Sequence, residues 1–183
     1  MAVAGAAYDA IVVGARCAGS PTAMLLARAG QRVLLVDRAT FPSDTVSTHA
    51  VHAPGVAALR RWGLLERLDA TGCPPLRTYS YDFGPFTISG PPNPVDGDVC
   101  YAYGPRRTVL DKLLVDAAAE AGAEVREGFV VEEVVFDNNA VTGLRGHAKG
   151  GKTVTESARI VIGADGRNSA PGAVGSRSEP TMD

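Results

Sequence analysis

Residues 9–38, DAIVVGARCAGSPTAMLLARAGQRVLLVDR, constrain the fold more than any other stretch of this chain. The apolar run Ile11-Val12-Val13 leads into a glycine turn and a helical segment. A second apolar run over residues 33–36 then ends at Asp37. Strand, tight turn, helix and strand in that order make a βαβ unit, the architecture that holds a dinucleotide. The glycine pattern is Gly14-x-x-x-x-Gly19, with Arg16 where the middle glycine of the usual fingerprint falls. Gly14 can take the positive φ that a strand-to-helix turn needs. Gly19, lacking a Cβ, lets the helix pack close to the sheet. The helix start then offers N–H groups and a positive dipole end to a pyrophosphate. Asp37 stands at about the 20-residue offset of an acid that accepts ribose hydroxyls.

Two points stay open at the residue level. Arg16 either turns its guanidinium toward a phosphate oxygen or points outward into solvent. The glycines either cradle a phosphate or serve only a tight turn.

The 183 residues suit one domain with a substantial core, or a fragment of a larger protein. A net charge of −2 leaves no basic footprint for nucleic acid, and no apolar stretch is long enough to span a membrane. The apolar N-terminus lacks a basic leading region, contains Asp9 and runs into the glycine turn, so it reads as a strand and not a signal peptide. Cys17, Cys73 and Cys100 are odd in number and lack metal-ligand spacing, which fits a reducing, cytoplasmic setting.

Past Asp37, residues 38–48 (RATFPSDTVST) have no clear period and read as an irregular excursion. Pro54 suits the first turn of a helix over residues 56–62, with Leu59 and Trp62 on its buried side. Gly63 breaks that helix, and residues 64–70 form a short second one. Residues 73–97 are rich in proline and glycine, and alternation over 78–88 predicts strands near a sheet edge. Residues 107–122 read as the clearest later helix, with an apolar stripe of Val109, Leu110, Leu113, Leu114 and Ala117 and a stop at Gly122. Four β-type runs follow, near 123–126, 130–136, 140–145 and 153–157. A last strand over 158–162 enters Gly163-Ala164-Asp165-Gly166.

Three ordered features carry a resemblance: the dinucleotide unit ending in Asp37, the Arg107-x-x-Leu110-Asp111 helix start, and Gly163-Ala164-Asp165-Gly166 after a strand. Over nearly all of residues 7–169 the chain resembles the N-terminal part of the flavoprotein monooxygenase superfamily, the group of para-hydroxybenzoate hydroxylase. It is similar as well to the geranylgeranyl-reductase-like branch. The segment FPSDTVSTH resembles the loop that approaches the flavin in actinobacterial-type members.

The resemblance implies an α/β, Rossmann-like FAD-binding fold with a parallel sheet, a β-meander and an incomplete second, substrate layer. It implies FAD as cofactor and NAD(P)H as electron donor. Gly14, Ala15 and Gly19 would hold the pyrophosphate, Asp37 the adenosine ribose, and Arg38 would lie against the adenine. Arg107 would approach the phosphate–ribose region, where the alternative is a solvated helix-start arginine. Asp165 and Gly166 would form a second flavin contact, where the alternative is a turn ending a strand. Ser47, Thr48 and His49 would line the flavin edge, with ordinary loop packing the alternative for His49; His52 reads as structural. No catalytic residue is singled out, because in such proteins the cofactor performs the hard step.

By the same resemblance the activity is oxygen transfer from O2 to a small organic substrate. A reductase would instead pass the hydride to a prenyl double bond. An inactive dinucleotide-binding module and an NAD-dependent dehydrogenase are the remaining alternatives. Residues 1–169 are expected to form the FAD-binding domain, with partial substrate-domain strands around 73–103. Residues 170–183, rich in Pro, Gly and Ser, are expected to be an irregular or disordered tail where relatives continue into a substrate-binding sheet. A truncation, frameshift or fragment accounts for that ending, and the sheet surface left uncovered is expected to favour self-association.

Overall fold

The computed structural model describes residues 6–166, and the chain divides into two compact units. One unit is Asp44–Leu113, and the other is formed by the segments on either side of it. The tail over 170–183, expected to be irregular or disordered, lies outside the described residues.

The flanking unit is built on the βαβ segment. Strand β1 (Tyr8–Val13) leads to helix α1 (Gly19–Arg28) and strand β2 (Val33–Asp37). Val33, Leu34, Leu35 and Val36 are all buried, as expected of a parallel strand covered on both faces. Helix α1 buries Gly19, Ser20, Ala23 and Met24 and ends at Gly30, whose φ of 81° is the left-handed stop that glycine makes cheaply.

The unit's remaining strands come late in the chain. Numbered in chain order after the four strands of the other unit, they are β7 (Glu124–Glu127), β8 (Phe129–Asp137), β9 (Ala140–Ala148) and β10 (Val154–Gly163). The sheet order is β7-β2-β1-β10-β9-β8. Strands β7, β2, β1 and β10 run parallel, and β10, β9 and β8 form an antiparallel meander. The fold is therefore Rossmann-like α/β with a β-meander, as the sequence implies.

One boundary differs from the sequence expectation. Residues 153–157 and 158–162 read as two strands but form one, β10. Its first half pairs antiparallel with β9 from Val154↔Gly146 to Ser157↔Gly143. Its second half pairs parallel with β1, including Ala158 with Tyr8 and Gly163 with Val13. Ile11, Val13, Leu34, Val36, Phe129, Leu144 and Ala158 pack into one core, so the meander and the parallel sheet share a single apolar interior.

A polar cluster lies across β1, β7 and β10. Arg126 donates to Glu156 at 2.5 Å, to Glu124 at 2.8 Å and to the Tyr8 oxygen at 3.0 Å, while the Tyr8 hydroxyl donates to Glu124 at 2.7 Å. Burial first, and then the bond to Glu124, push the Tyr8 phenol up to about 12. The folded state thus favours the neutral phenol. Its stabilisation is fully present below the ordinary value of about 10 and is lost as pH rises from there through the folded value. Urea midpoints of the wild type are expected to fall over that window relative to Tyr8→Phe. Parallel curves for the two proteins would remove Tyr8 from the alkaline transition.

The second unit contains α2 (Ala53–Arg61), α3 (Leu65–Asp69), β3 (Pro75–Leu76), β4 (Tyr79–Asp82), β5 (Thr87–Gly90) and β6 (Ala102–Tyr103). Pro54 sits in the first turn of α2, where its missing N–H costs nothing, and Gly63 ends the segment at φ 73°. Leu59 is buried as expected, while Trp62 is half-buried. Strands β3 and β6 pair with each other, as do β4 and β5. The Tyr103 hydroxyl donates to Asp69, and Arg60 pairs with Asp98 at 2.6 Å. The chain leaves this unit within α4 (Arg107–Glu120), which ends before Gly122.

Candidate functional site

At the C-terminal ends of β1, β2 and β10 three backbone segments converge. The Gly14 N–H donates to Val36 O at 2.7 Å, and the Ala164 N–H donates to Val13 O at 2.7 Å. Gly14 has φ 103°, and a Cβ there would fall 2.6 Å from the Ala164 carbonyl carbon and 2.7 Å from Asp165 N. A Cβ on Gly19 would lie 1.7 Å from Gly14 O. Glycine is required at both positions by close backbone approach, and at Gly14 by φ as well. The strand order reverses here: β2 lies on one side of β1 and β10 on the other. Ligands of open α/β sheets bind in the crevice at such a switch point.

Asp37 is half-buried at the end of β2 and clamps the turn. Its Oδ2 accepts the Ala15 N–H at 2.7 Å and its Oδ1 accepts the Ala39 N–H at 2.8 Å. Each carboxylate oxygen has a further lone pair, so neither bond removes its capacity to accept a ligand hydroxyl. Arg38 beside it is exposed, as are Asp165 and Gly166 at the end of the β10 segment.

Arg16 is half-buried and does not simply point outward into solvent. Its Nη2 donates to Ser43 Oγ at 3.2 Å and its guanidinium lies 5.5 Å from the centroid of the Phe41 ring. It braces the chain that follows β2. That chain is held further by the Phe41 N–H on Glu127 at 2.8 Å and by the Gly128 N–H on Ala39 O at 3.0 Å. Phe41, Ser43 and Glu127 were not singled out by the sequence, because these contacts join positions with no local pattern between them.

The start of α1 fits an anionic group. Its first turn contains no acidic side chain, and no side chain caps it. Ser20 in that turn is fully buried, and its Oγ has no hydrogen-bond partner. An uncapped helix start behind a glycine turn is receptive to phosphate oxygens. These features fit the pyrophosphate of a dinucleotide. Among the described residues no cluster of His, Cys, Asp or Glu could hold a metal ion.

Thr48 and Arg107 belong to the second unit. Thr48 is exposed in the segment before α2. Arg107 is not the solvated helix-start arginine that was the sequence alternative. Its side chain is 14% exposed, and its Nε and Nη2 donate to Oδ1 of the fully buried Asp111 at 3.0 and 2.9 Å. The i, i+4 spacing that places them on one helix face was visible in the sequence; the burial was not. Breaking a buried ion pair typically costs ~3–5 kcal/mol. Asp111 keeps other interactions, so Arg107→Met is expected to cost about 2 kcal/mol in urea unfolding. An unchanged midpoint would show that the pair does not stabilise the helix start. His49 has φ 57°, and its buried Nε2 has no hydrogen-bond partner.

Comparison with known proteins agrees with this geometry. A family model described as FAD binding domain matches residues 7–180. Digeranylgeranylglycerophospholipid reductase 2 of Methanopyrus kandleri is 32% identical over 171 residues, covering 90% of this chain and 39% of that protein. The structure of the anhydrotetracycline hydroxylase OxyS from Streptomyces rimosus matches with a TM-score of 0.71 at 29% identity, over 89% of this chain and 32% of that one. The flavin-dependent halogenase CmlS matches with a TM-score of 0.81 at 25% identity, over 92% of this chain and 31% of that one. The chain spans only 31% to 40% of the length of the curated relatives it matches. Among the described residues no helix is long and apolar enough to cross a membrane. On the strength of the family match and the nucleotide-type geometry at the strand ends, the chain belongs to the FAD binding domain family of flavin-dependent oxidoreductases.

Proposed function

We propose that this chain holds FAD at the C-terminal ends of β1, β2 and β10, as the flavin-binding portion of a monooxygenase that uses NAD(P)H and O2 on a small organic substrate. The observation that carries the reading is the convergence of the Gly14 turn, the Asp37 carboxylate and the Ala164–Asp165 backbone at one switch point. In this assignment Gly14, Ala15 and Gly19 keep side-chain bulk away from the pyrophosphate, and α1 directs its positive end toward it. Asp37 accepts ribose hydroxyls while fixing the turn, Arg38 lies against the adenine, and Asp165 with Gly166 supplies the second flavin contact. For Thr48 at the flavin edge and Arg107 near the phosphate–ribose region, the support is the sequence resemblance. Bound FAD would supply the redox chemistry, taking a hydride from the nicotinamide and passing electrons onward, while the protein binds and orients it.

A second reading, a flavin-dependent reductase, is favoured by curated relatives. They include the Methanopyrus protein above and Menaquinone reductase of Mycolicibacterium smegmatis, 32% identical over 137 residues. The test begins with the absorbance spectrum of the chain after FAD is added and the excess removed. A retained flavin band is the expected result, and a folded chain without one would overturn the cofactor assignment. NAD(P)H oxidation by the loaded chain that consumes O2 would favour the monooxygenase. Retained flavin with no oxidation would leave a dinucleotide-binding module.

A further inference from the structure

Among the described residues, β4 and β5 pair only with each other, and the hairpin they form has two unlike faces. Successive side chains of a strand point to opposite sides. Ser80, Asp82, Thr87 and Ser89 share one side. There the Ser80 and Ser89 hydroxyls lie 2.8 Å apart, and Asp82 accepts the Gly84 N–H at 2.8 Å. The other side is apolar. Tyr81 stands directly across from Ile88, and two residues further along, Phe83 and Phe86 stack with ring centroids 5.1 Å apart. At the base of this side the Tyr79 hydroxyl lies 2.7 Å from His52 Nδ1, and Tyr79 is half-buried. Beyond that base the cover ends, and Tyr81, Phe83, Phe86 and Ile88 each leave more than half of their surface in solvent. A two-stranded hairpin is marginal in water unless something packs on its apolar side, and a contiguous exposed apolar patch marks an interaction surface.

We propose that this face is the contact between two copies of the chain, packed apolar side to apolar side about a two-fold axis. Charge argues for that occupant. The four exposed side chains carry no charge, so they offer nothing for a charged partner to complement. Residues 78–100 contain three aspartates and no lysine, arginine or histidine, which works against an anionic lipid surface. Asp82 lies on the far side of the hairpin, so two copies meet without bringing its carboxylates together. Area argues the same way. The four side chains expose about 120 Å² apiece, and two such faces would remove roughly 1,000 Å² from water. That size suits a weak, reversible dimer with a dissociation constant on the order of tens of micromolar. A face that meets its own copy about a two-fold axis is used up at two, so assembly stops at the dimer.

The inference does not depend on flavin binding, and its test uses the full flavin-free chain. Sedimentation velocity of the wild type is expected to pass from monomer to dimer between about 5 and about 500 µM, and to show nothing larger. Phe83→Ser and Phe86→Ser are each expected to weaken association about tenfold, and the double variant to stay monomeric throughout. Both side chains are exposed, so at the lowest concentration the variants should melt with the wild type. Ile160→Ser, which removes an exposed apolar side chain from the other unit, should leave the dimer unchanged. Dilution of the wild type should shift amide resonances at residues 79–90, a readout that needs no variant to fold. A wild type that is monomeric at the highest concentration, a double variant that still dimerises, or dilution shifts confined to other residues would each overturn the assignment. So would a monomeric chain that sediments with phosphatidylcholine vesicles, which would give the face to a lipid surface.

Discussion

Gly19→Ala is expected to lower the melting temperature by about 10 °C and to abolish retention of FAD, although alanine is the better helix former by about 1 kcal/mol. The new Cβ would fall 1.7 Å from Gly14 O and 3.2 Å from Val12 Cγ1. The Gly14 carbonyl cannot simply move aside. Its residue is tied to Val36 through its own N–H, and the next N–H, of Ala15, is held by Asp37. Helix α1 would have to shift off the sheet, uncovering Ala23 and Met24, which are fully buried against it. We place the cost at about 3 kcal/mol, the upper end of ordinary overpacking, because the obstacle is backbone. Gly30→Ala is the control. Gly30 has φ 81° but nothing within 4 Å of the added Cβ, so it carries only the left-handed penalty of about 1–2 kcal/mol. Should Gly19→Ala melt no lower than Gly30→Ala, the close approach of helix and turn would not be what holds the site together.

What the sequence revealed here was what short-range physics determines. Residues 9–38 were readable because two continuous apolar runs, a glycine turn and an acid at the strand end agree with one another at every step. The helix over α4 was readable from its stripe and from Gly122. Strand β10 was read as two because its partner changes midway, from β9 to β1, and a local pattern holds no record of which strand lies alongside. The contacts of Arg16 with Phe41 and Ser43 were not legible because those residues lie in a stretch without periodicity. Asp37 was expected, from its offset, to accept ribose hydroxyls. Its bond to the Ala15 N–H, 22 positions away, needed the folded βαβ unit to become visible.

That bond makes Asp37 a two-part experiment. Asp37→Ala leaves the N–H of Ala15, a fully buried residue, without its acceptor, whereas the half-buried Ala39 can regain water. An unsatisfied buried donor costs about 1–3 kcal/mol, so the flavin-free chain is expected to lose about 2 kcal/mol in urea unfolding. Asp37→Asn retains one carbonyl acceptor but sets amide hydrogens against one of the two N–H groups, so its loss should be intermediate. The ligand contribution is separate. A carboxylate that accepts ribose hydroxyls forms charge-assisted bonds, and losing two of them weakens FAD about a hundredfold, or roughly 2.7 kcal/mol. FAD affinity measured on the folded fraction at low temperature isolates this second effect from the first. If stability falls as expected while affinity for FAD is unchanged, Asp37 serves only as the clamp of the glycine turn. If both fall, the same carboxylate shapes the turn and reads the ribose, and the turn's geometry and the ligand's recognition are then inseparable in this site.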